Sequence, residues 1–353
     1  MSTLKLGYVG CGFMAQGVHI PNFARTDGVE LTALAEIRPK LGRKVQKRWG
    51  FRKLYPSHLD LVKDPDVQAV GVSASFSEQS AIAADLVAAG KHVFMEKPMA
   101  LSVAEAEQLL EASRTGGGRL MVGYMKRYDA GNEIAKRRVD QFRQDAAMGK
   151  LFYARNHGFC GNWTAGMDAV IEKTDEEYPA PRPGRYPDWL AESLRKAYVG
   201  YLQQYTHNIN LLRWFTDAAD NARVTAVDLD DDGYTGLVTF DMKGTRAVVE
   251  SGGVSYHAWE EHTQLYFQNG WVRVASPSLL LKNTSADVEI YRAGDTQEFS
   301  HPVPVPYAWS FRREAEHFVQ CLRTGQPFRS SAEDTLTDIR LFEDIYRAFM
   351  KGK

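Results

Sequence analysis

Cysteine is scarce in this chain of 353 residues. The three present, Cys11, Cys160 and Cys321, are scattered. None has the paired spacing of a metal-ligand set or a disulfide framework, so no metal is expected and a reducing compartment is. Long apolar runs are also lacking, which excludes a membrane-spanning helix. The opening "MSTLKLGYVGCG" enters a strand too early to leave room for a signal peptide, so a cytoplasmic location is expected. Excess charge of either sign is absent: 43 Lys and Arg against 44 Asp and Glu leave a net charge of −1. That balance gives no electrostatic footprint for nucleic acid or an anionic membrane surface. What remains is an ordinary globular composition, 44% hydrophobic and 25% charged, on a chain long enough for two domains.

The first third alternates apolar runs with helical patterns. "LKLGYVG", "VELTALAE", "VQAVGVSA", "KHVFME" and "RLMVGYM" are strands, and a short element lies at Phe51–Tyr55. Between them lie helices such as the basic "PKLGRKVQKRWG" and "SVAEAEQLLEASRT". Strands separated by helices of that length imply βαβ units, hence a parallel, doubly wound sheet over residues 1–125. Beyond Tyr128 the pattern changes. After a charged helix near Ala130–Gly149 comes the period-two strand "LFYARNHG". "ARVTAVDLDD", "GYTGLVTFD", "GTRAVVESGG", "HTQLYFQNG" and "WVRVAS" then read as an antiparallel sheet, within a second domain over 126–353. Two amphipathic helices close the chain. "EKTDEEYPAPRPGRYPDW" is expected to be a long surface loop, either capping the active site or reaching a neighbouring subunit.

"YVGCGFMA" carries Gly10-x-Gly12-x-x-Ala15 between a strand and a helix. Gly10 allows the tight turn, Gly12 lets the backbone approach a pyrophosphate, and Ala15 permits close helix–strand packing. Glu36 ends the second strand, where an acid binds a ribose diol and repels a 2′-phosphate, so NAD is favoured. Arg38, two residues on, keeps NADP open. Phe13, Met14 and Ser73 complete the glycine-loop side of the candidate cofactor set. Glu96, Lys97 and Pro98 end the strand "HVFME" at the edge where ligands bind in such sheets.

"VGYLQQYTHNINLLRWF" is a helix whose wet face is neutral. At about 100° per residue, Gln203, His207 and Asn210 fall within roughly 60° of arc, opposite Tyr201, Tyr205, Ile209, Leu212 and Phe215. No charged residue appears in it before Arg213.

"GYVGCGFMA", "AGKHVFMEKPMA" and "GYMKRYD" together resemble the glucose–fructose oxidoreductase/inositol dehydrogenase (Gfo/Idh/MocA) family. The resemblance extends to "GKLFYARNHG" and "FVQCLRTGQPF". It implies an N-terminal Rossmann domain, an open-faced β-sheet domain that binds sugars or cyclitols, and hydride transfer between nicotinamide and a secondary alcohol or ketone. Lys97 and His207 are then the candidate catalytic residues, and sequence does not divide the proton work between them. Gln203 and Asn210 stand where relatives commonly carry aspartates, Ser75 where they often have proline, and Gln79 where they often have histidine. Tyr124, Trp163, Tyr186 and Trp189 are candidate sugar-stacking rings, and Arg127 a candidate for substrate hydroxyls. His257 and His262 lack the spacing of a helical zinc pair. A homo-oligomer, dimer or tetramer, joined through the sheet domain is expected. Two other functions stay open: an enzyme that cleaves a glycoside through transient oxidation, and a silent dinucleotide-binding regulator.

Overall fold

The computed structural model of the protein describes residues 3–254 and 259–352. The chain divides into two compact units. The first comprises Met1–Tyr124, Asp168–Pro187 and Phe311–Ile339; the second comprises Met125–Met167, Asp188–Ser310 and Arg340–Lys353. The return of two later segments to the first unit leaves no mark in local periodicity, because docking is a long-range event.

In the first unit, β1 (Leu4–Val9), β2 (Val29–Ala35), β3 (Lys53–Tyr55), β4 (Ala69–Val72), β5 (His92–Glu96) and β6 (Leu120–Gly123) form one sheet. The strand order is β3-β2-β1-β4-β5-β6, and every pairing is parallel. Val70, Val93, Met95 and Val122 are fully enclosed, as strands covered on both faces must be. Helices α1 (Ile20–Ala24), α2 (Pro39–Trp49), α3 (His58–Leu61), α4 (Gln79–Ala88) and α5 (Val103–Gly116) connect them. Local chemistry sets their ends. Proline opens α2 and left-handed Gly50 closes it, while the Ser102 hydroxyl caps α5 by accepting from Glu105 N. The strand order reverses between β1 and β4, which creates a crevice at their carboxyl ends.

In the second unit, α6 (Ala130–Gln144) precedes β7 (Leu151–Cys160), and α7 (Arg195–Thr216) follows it. Then come β8 (Ala222–Leu229), β9 (Gly236–Met242), β10 (Thr245–Gly253), β11 (Trp259–Phe267), β12 (Gly270–Ala275), β13 (Asp287–Arg292) and β14 (Glu298–Ser300). The sheet order is β14-β13-β12-β11-β7-β10-β9-β8. Among the described strands of this second sheet, only β7 and β10 pair in parallel. Side chains alternate: Ala154, Leu265, Val272 and Val274 are buried, whereas Tyr153, Arg155, His157, Tyr266 and Arg273 stay half-exposed. Helices α8 (Ser310–Thr324) and α9 (Ala332–Lys351) close the chain. The fold is thus a parallel six-stranded Rossmann sheet followed by a mixed, mostly antiparallel eight-stranded sheet with helices.

Candidate active site

The turn after β1 is tight on one side and open on the other. Gly10 has φ +94°, and a Cβ there would lie 2.2 Å from the Ser73 carbonyl oxygen. Only glycine fits that turn. A Cβ on Gly12 would meet nothing within 4 Å, so its backbone lies open to close approach. Phe13 and Met14 open the following helix and are half-exposed, and Ala15 is buried. The Tyr8 hydroxyl and Ser73 Oγ lie 2.6 Å apart, tying Ser73 to β1. Residues Ala15–His19 form a π-helical turn with Gln16 and His19 buried; such turns recur at functional sites.

Glu36 projects from the end of β2 and is 5% exposed. Its carboxylate accepts from Cys11 N at 2.7 Å and from Arg38 Nε at 2.7 Å. The acid therefore stands beside the glycine turn with the Arg38 guanidinium held against it. Burial, aided by Glu36, pushes the Cys11 thiol up, so it is an inert packing group.

Lys97 follows β5, and a cis bond joins it to Pro98. Buried groups hold the backbone on both sides of it. Gln79 Nε2 donates to the Glu96 carbonyl at 3.1 Å and to the Pro98 carbonyl at 2.5 Å. Lys97 N donates to Glu96 Oε2 at 3.0 Å, and His19 Nε2 lies 2.5 Å from Glu96 Oε1. Gln79 is fully buried and His19 is 1% exposed. On α8, Glu314 is also fully buried. Burial first, and the nearby Glu96 second, hold its carboxyl well above the usual range. Neither Gln79 nor His19 was singled out in the sequence as a support for Lys97. The available signals were the departure at position 79 and a histidine four residues past Ala15.

In the second unit, α7 turns the expected apolar face inward: Tyr201, Tyr205, Ile209, Leu212 and Phe215 are all fully buried. The polar stripe is graded. Gln203 is exposed, His207 is 7% exposed, and Asn210 is 1% exposed. Arg127 Nη2 donates to the Asn210 carbonyl at 3.2 Å, which places Arg127 against this helix. A second polar line was not foreseen. Asn208 Nδ2 donates to Asn156 Oδ1 at 2.6 Å, and Asn156 Nδ2 donates to Thr263 Oγ1 at 2.8 Å. The Tyr205 hydroxyl donates to the Gly252 carbonyl at 3.0 Å and accepts from Gly252 N at 2.7 Å. These bonds fix α7 to β7, β10 and β11, and so orient the stripe.

The remaining candidates are spread more widely. Trp163 is 37% exposed and Tyr124 is 1% exposed. Tyr186 is half-buried in the Rossmann unit. Trp189 stacks beneath Arg347 at 4.2 Å. His262 stacks on His157 at 5.1 Å, and burial together with Arg273 pushes its pKa down to about 4. His257 lies outside the described residues. Among the described residues no group of three or more His, Cys, Asp or Glu could hold a metal ion, and no helix is long and apolar enough to cross a membrane.

Residues 4–124 match the oxidoreductase family GFO_IDH_MocA, described by its NAD-binding Rossmann fold. Myo-inositol 2-dehydrogenase of Thermotoga maritima is 22% identical over 94% of this chain and 92% of its own. Inositol 2-dehydrogenase of Burkholderia cenocepacia is 32% identical over 49% of this chain and 53% of its own. Scyllo-inositol dehydrogenase of Lactobacillus casei, solved with NAD(H) and scyllo-inositol, superposes with a TM-score of 0.71 at 22% identity, covering 100% of this chain and 98% of that one. Residues 4–124 are thus those of a Gfo/Idh/MocA oxidoreductase with its NAD-binding Rossmann fold, and the chain as a whole is similar to the inositol dehydrogenases.

Proposed function

We propose that the protein interconverts a secondary alcohol and a ketone on a sugar, glycoside or cyclitol ring, with hydride passing to or from NAD. The observation that supports this most is the setting of Lys97. An ammonium ends a strand at the ligand-binding edge of a Rossmann sheet, and buried Gln79, Glu96 and His19 fix its backbone. A solvated surface lysine has no need of such support.

Gly10, Gly12, Phe13, Met14, Ser73 and Glu36 would hold the nucleotide, and their geometry suits it: a turn closed to any Cβ, an open glycine backbone, and an acid at the ribose position. The ion pair of Arg38 with Glu36 at 2.7 Å supports NAD over NADP, since that guanidinium is already engaged by a carboxylate. NAD supplies a hydride acceptor at nicotinamide C4. Oxidation also needs a group to take the hydroxyl proton, and His207 is suited to that near neutrality. Lys97 is suited to donate a hydrogen bond to a substrate oxygen and to stabilise its developing negative charge. Gln203, one turn before His207, is neutral and cannot stabilise an imidazolium as a carboxylate does, which moves proton work toward Lys97. Asn210, Arg127, Trp163 and Tyr124 are the further substrate-binding candidates. The half-exposed face of the second sheet, with Tyr153, His157 and Tyr266, supports assembly into a homo-oligomer; light scattering would measure it.

The test is a panel of polyols, glycosides and cyclitols with NAD, run on the unaltered chain and on Lys97→Met. Turnover of at least one compound is expected, abolished in the variant while NADH still binds. Nucleotide binding with no turnover across the panel would favour a silent regulator instead.

A further inference from the structure

The proposed reaction makes no use of Asp168–Pro187, which lies between β7 and α7. Asp168–Pro187 belongs to the Rossmann unit, although the chain on either side of it belongs to the other. Its attachments follow the carboxyl end of the parallel sheet. Glu172 N donates to Gln16 Oε1 at 2.8 Å, and its carbonyl accepts from Gln16 Nε2 at 3.2 Å, just past the glycine turn. The Glu176 carboxylate accepts from Lys40 N and Leu41 N, both at 2.8 Å, at the start of α2. Asp175 pairs with Lys40 at 2.8 Å. Arg38 lies 4.8 Å from the centre of the Tyr178 ring. Arg182 N then donates to Glu78 Oε1 at 2.8 Å, beyond β4. Arg185 Nη1 donates to Gln108 Oε1 at 2.8 Å, on α5.

The order of these anchors matters. Tyr178 is held beyond β2 and Arg182 beyond β4, and β1 lies between those strands. Neighbouring strands are about 4.8 Å apart, so the span is ~10 Å. Four steps of proline-rich extended chain cover ~12 Å. Pro179, Ala180 and Pro181 therefore pass almost straight over the β1/β4 switch point, where an open α/β sheet binds its ligand. All three are exposed, so they arch over the sheet and do not pack into it. Pro179, Pro181, Pro183 and Pro187 stiffen the segment. The acidic run "EKTDEE" also complements the basic face of α2, "PKLGRKVQKRW". Tyr178 remains 49% exposed, which leaves ring surface beyond the Arg38 contact.

We propose that Asp168–Pro187 is a strap that closes over the adenosine half of the bound dinucleotide, with Tyr178 walling the ribose site of Glu36 and Arg38. It rests on the assignment of the nucleotide site to the glycine turn. Cofactor release then requires the strap to lift, so NADH leaves slowly and faster once the strap's anchors are cut.

Two measurements on the full chain test this. In stopped flow, protein loaded with NADH is mixed with excess NAD and the fall in NADH fluorescence is followed. The double variant Asp175→Asn/Glu176→Gln is expected to release NADH at least tenfold faster than the unaltered chain. Hydrogen exchange on the unaltered chain is expected to slow across 168–187 when NADH is added. Release unchanged within twofold, with binding retained, overturns the strap alone. Faster exchange across 168–187 with NADH means the nucleotide displaces the segment, which also overturns it. Failure of both proteins to bind NADH overturns the nucleotide site and the strap together.

Discussion

Gln79→Ala is the perturbation that separates support of Lys97 from general packing. The amide of Gln79 donates to the carbonyls of Glu96 and Pro98, the two residues flanking Lys97. Truncation removes both bonds and leaves two carbonyl groups short of a donor. At about 1 kcal/mol net per neutral bond, with a further penalty for buried unpaired groups, the loss is ~2–4 kcal/mol. At about 2.1 cal/mol/K of unfolding entropy per residue, that corresponds in a chain of 353 residues to a fall in Tm of about 3–5 °C. The kinetic effect follows from position: a displacement near 1 Å in a reacting group costs on the order of a hundredfold. With a substrate from the panel, kcat should fall ten- to a hundredfold. The dissociation constant for NADH should stay within about threefold, because Gln79 does not touch the glycine turn. Gln79→His, which restores a ring N–H donor, should recover part of the rate. A kcat within twofold of the unaltered chain, alongside a lowered Tm, would show that Gln79 is a packing residue and refute the reasoning.

Other consequences follow from the same geometry. Gln203→Asp places a carboxylate one turn from His207, stabilises the imidazolium, and should move the acidic limb of the pH–rate profile to higher pH; an unmoved limb, with His207 identified as the base, contradicts that. Asn208→Ala breaks the chain through Asn156 to Thr263 and should cost ~1–3 kcal/mol in urea unfolding; no loss would mean that line adds nothing to the docking of α7. His262 has a folded pKa near 4 against about 6.5 for a free histidine. The unfolded state therefore binds more protons between those values, so stability is full above about pH 6.5 and declines as pH falls toward 4. The ring is half-exposed, and after discounting for solvent the decline is ~1 kcal/mol. Unfolding midpoints should show His262→Gln losing less than the unaltered chain across that range, and an equal loss removes His262 as the cause.

The Rossmann half was legible because each of its signals is local. Gly10, Gly12 and Ala15 follow a strand directly, Glu36 ends the next, and the alternation of strand and helix fixes the layers. The boundaries of β1, β2, β5 and α2 fall within a few residues of those expected. The strands β13 and β14 were not anticipated. The latter is three residues long with every residue exposed, so no apolar alternation marks it. The π turn at Ala15–His19 is likewise invisible to a 3.6-residue period. Neutrality marked the stripe on α7, but the inward Asn208 looked like one more polar residue. Its role depends on Asn156 and Thr263, brought near by strand pairing. The pairing of Gln79 with the backbone around Lys97 depends on β4 and β5 lying side by side. For 168–187 the sequence supplied prolines and acids, and only the folded chain supplied their partners.

The central claim is that this chain moves hydride between a ring carbon and nicotinamide under the control of Lys97. The most direct measurement offers cyclitols and sugars deuterated at the carbinol carbon, together with NAD, and reads deuterium at nicotinamide C4 by NMR. Deuterium in the recovered nucleotide from the unaltered chain, and none from Lys97→Met that still binds NADH, is the predicted result. Undiminished label from Lys97→Met, or no label from any deuterated ring alcohol with a chain that binds NAD, would contradict it.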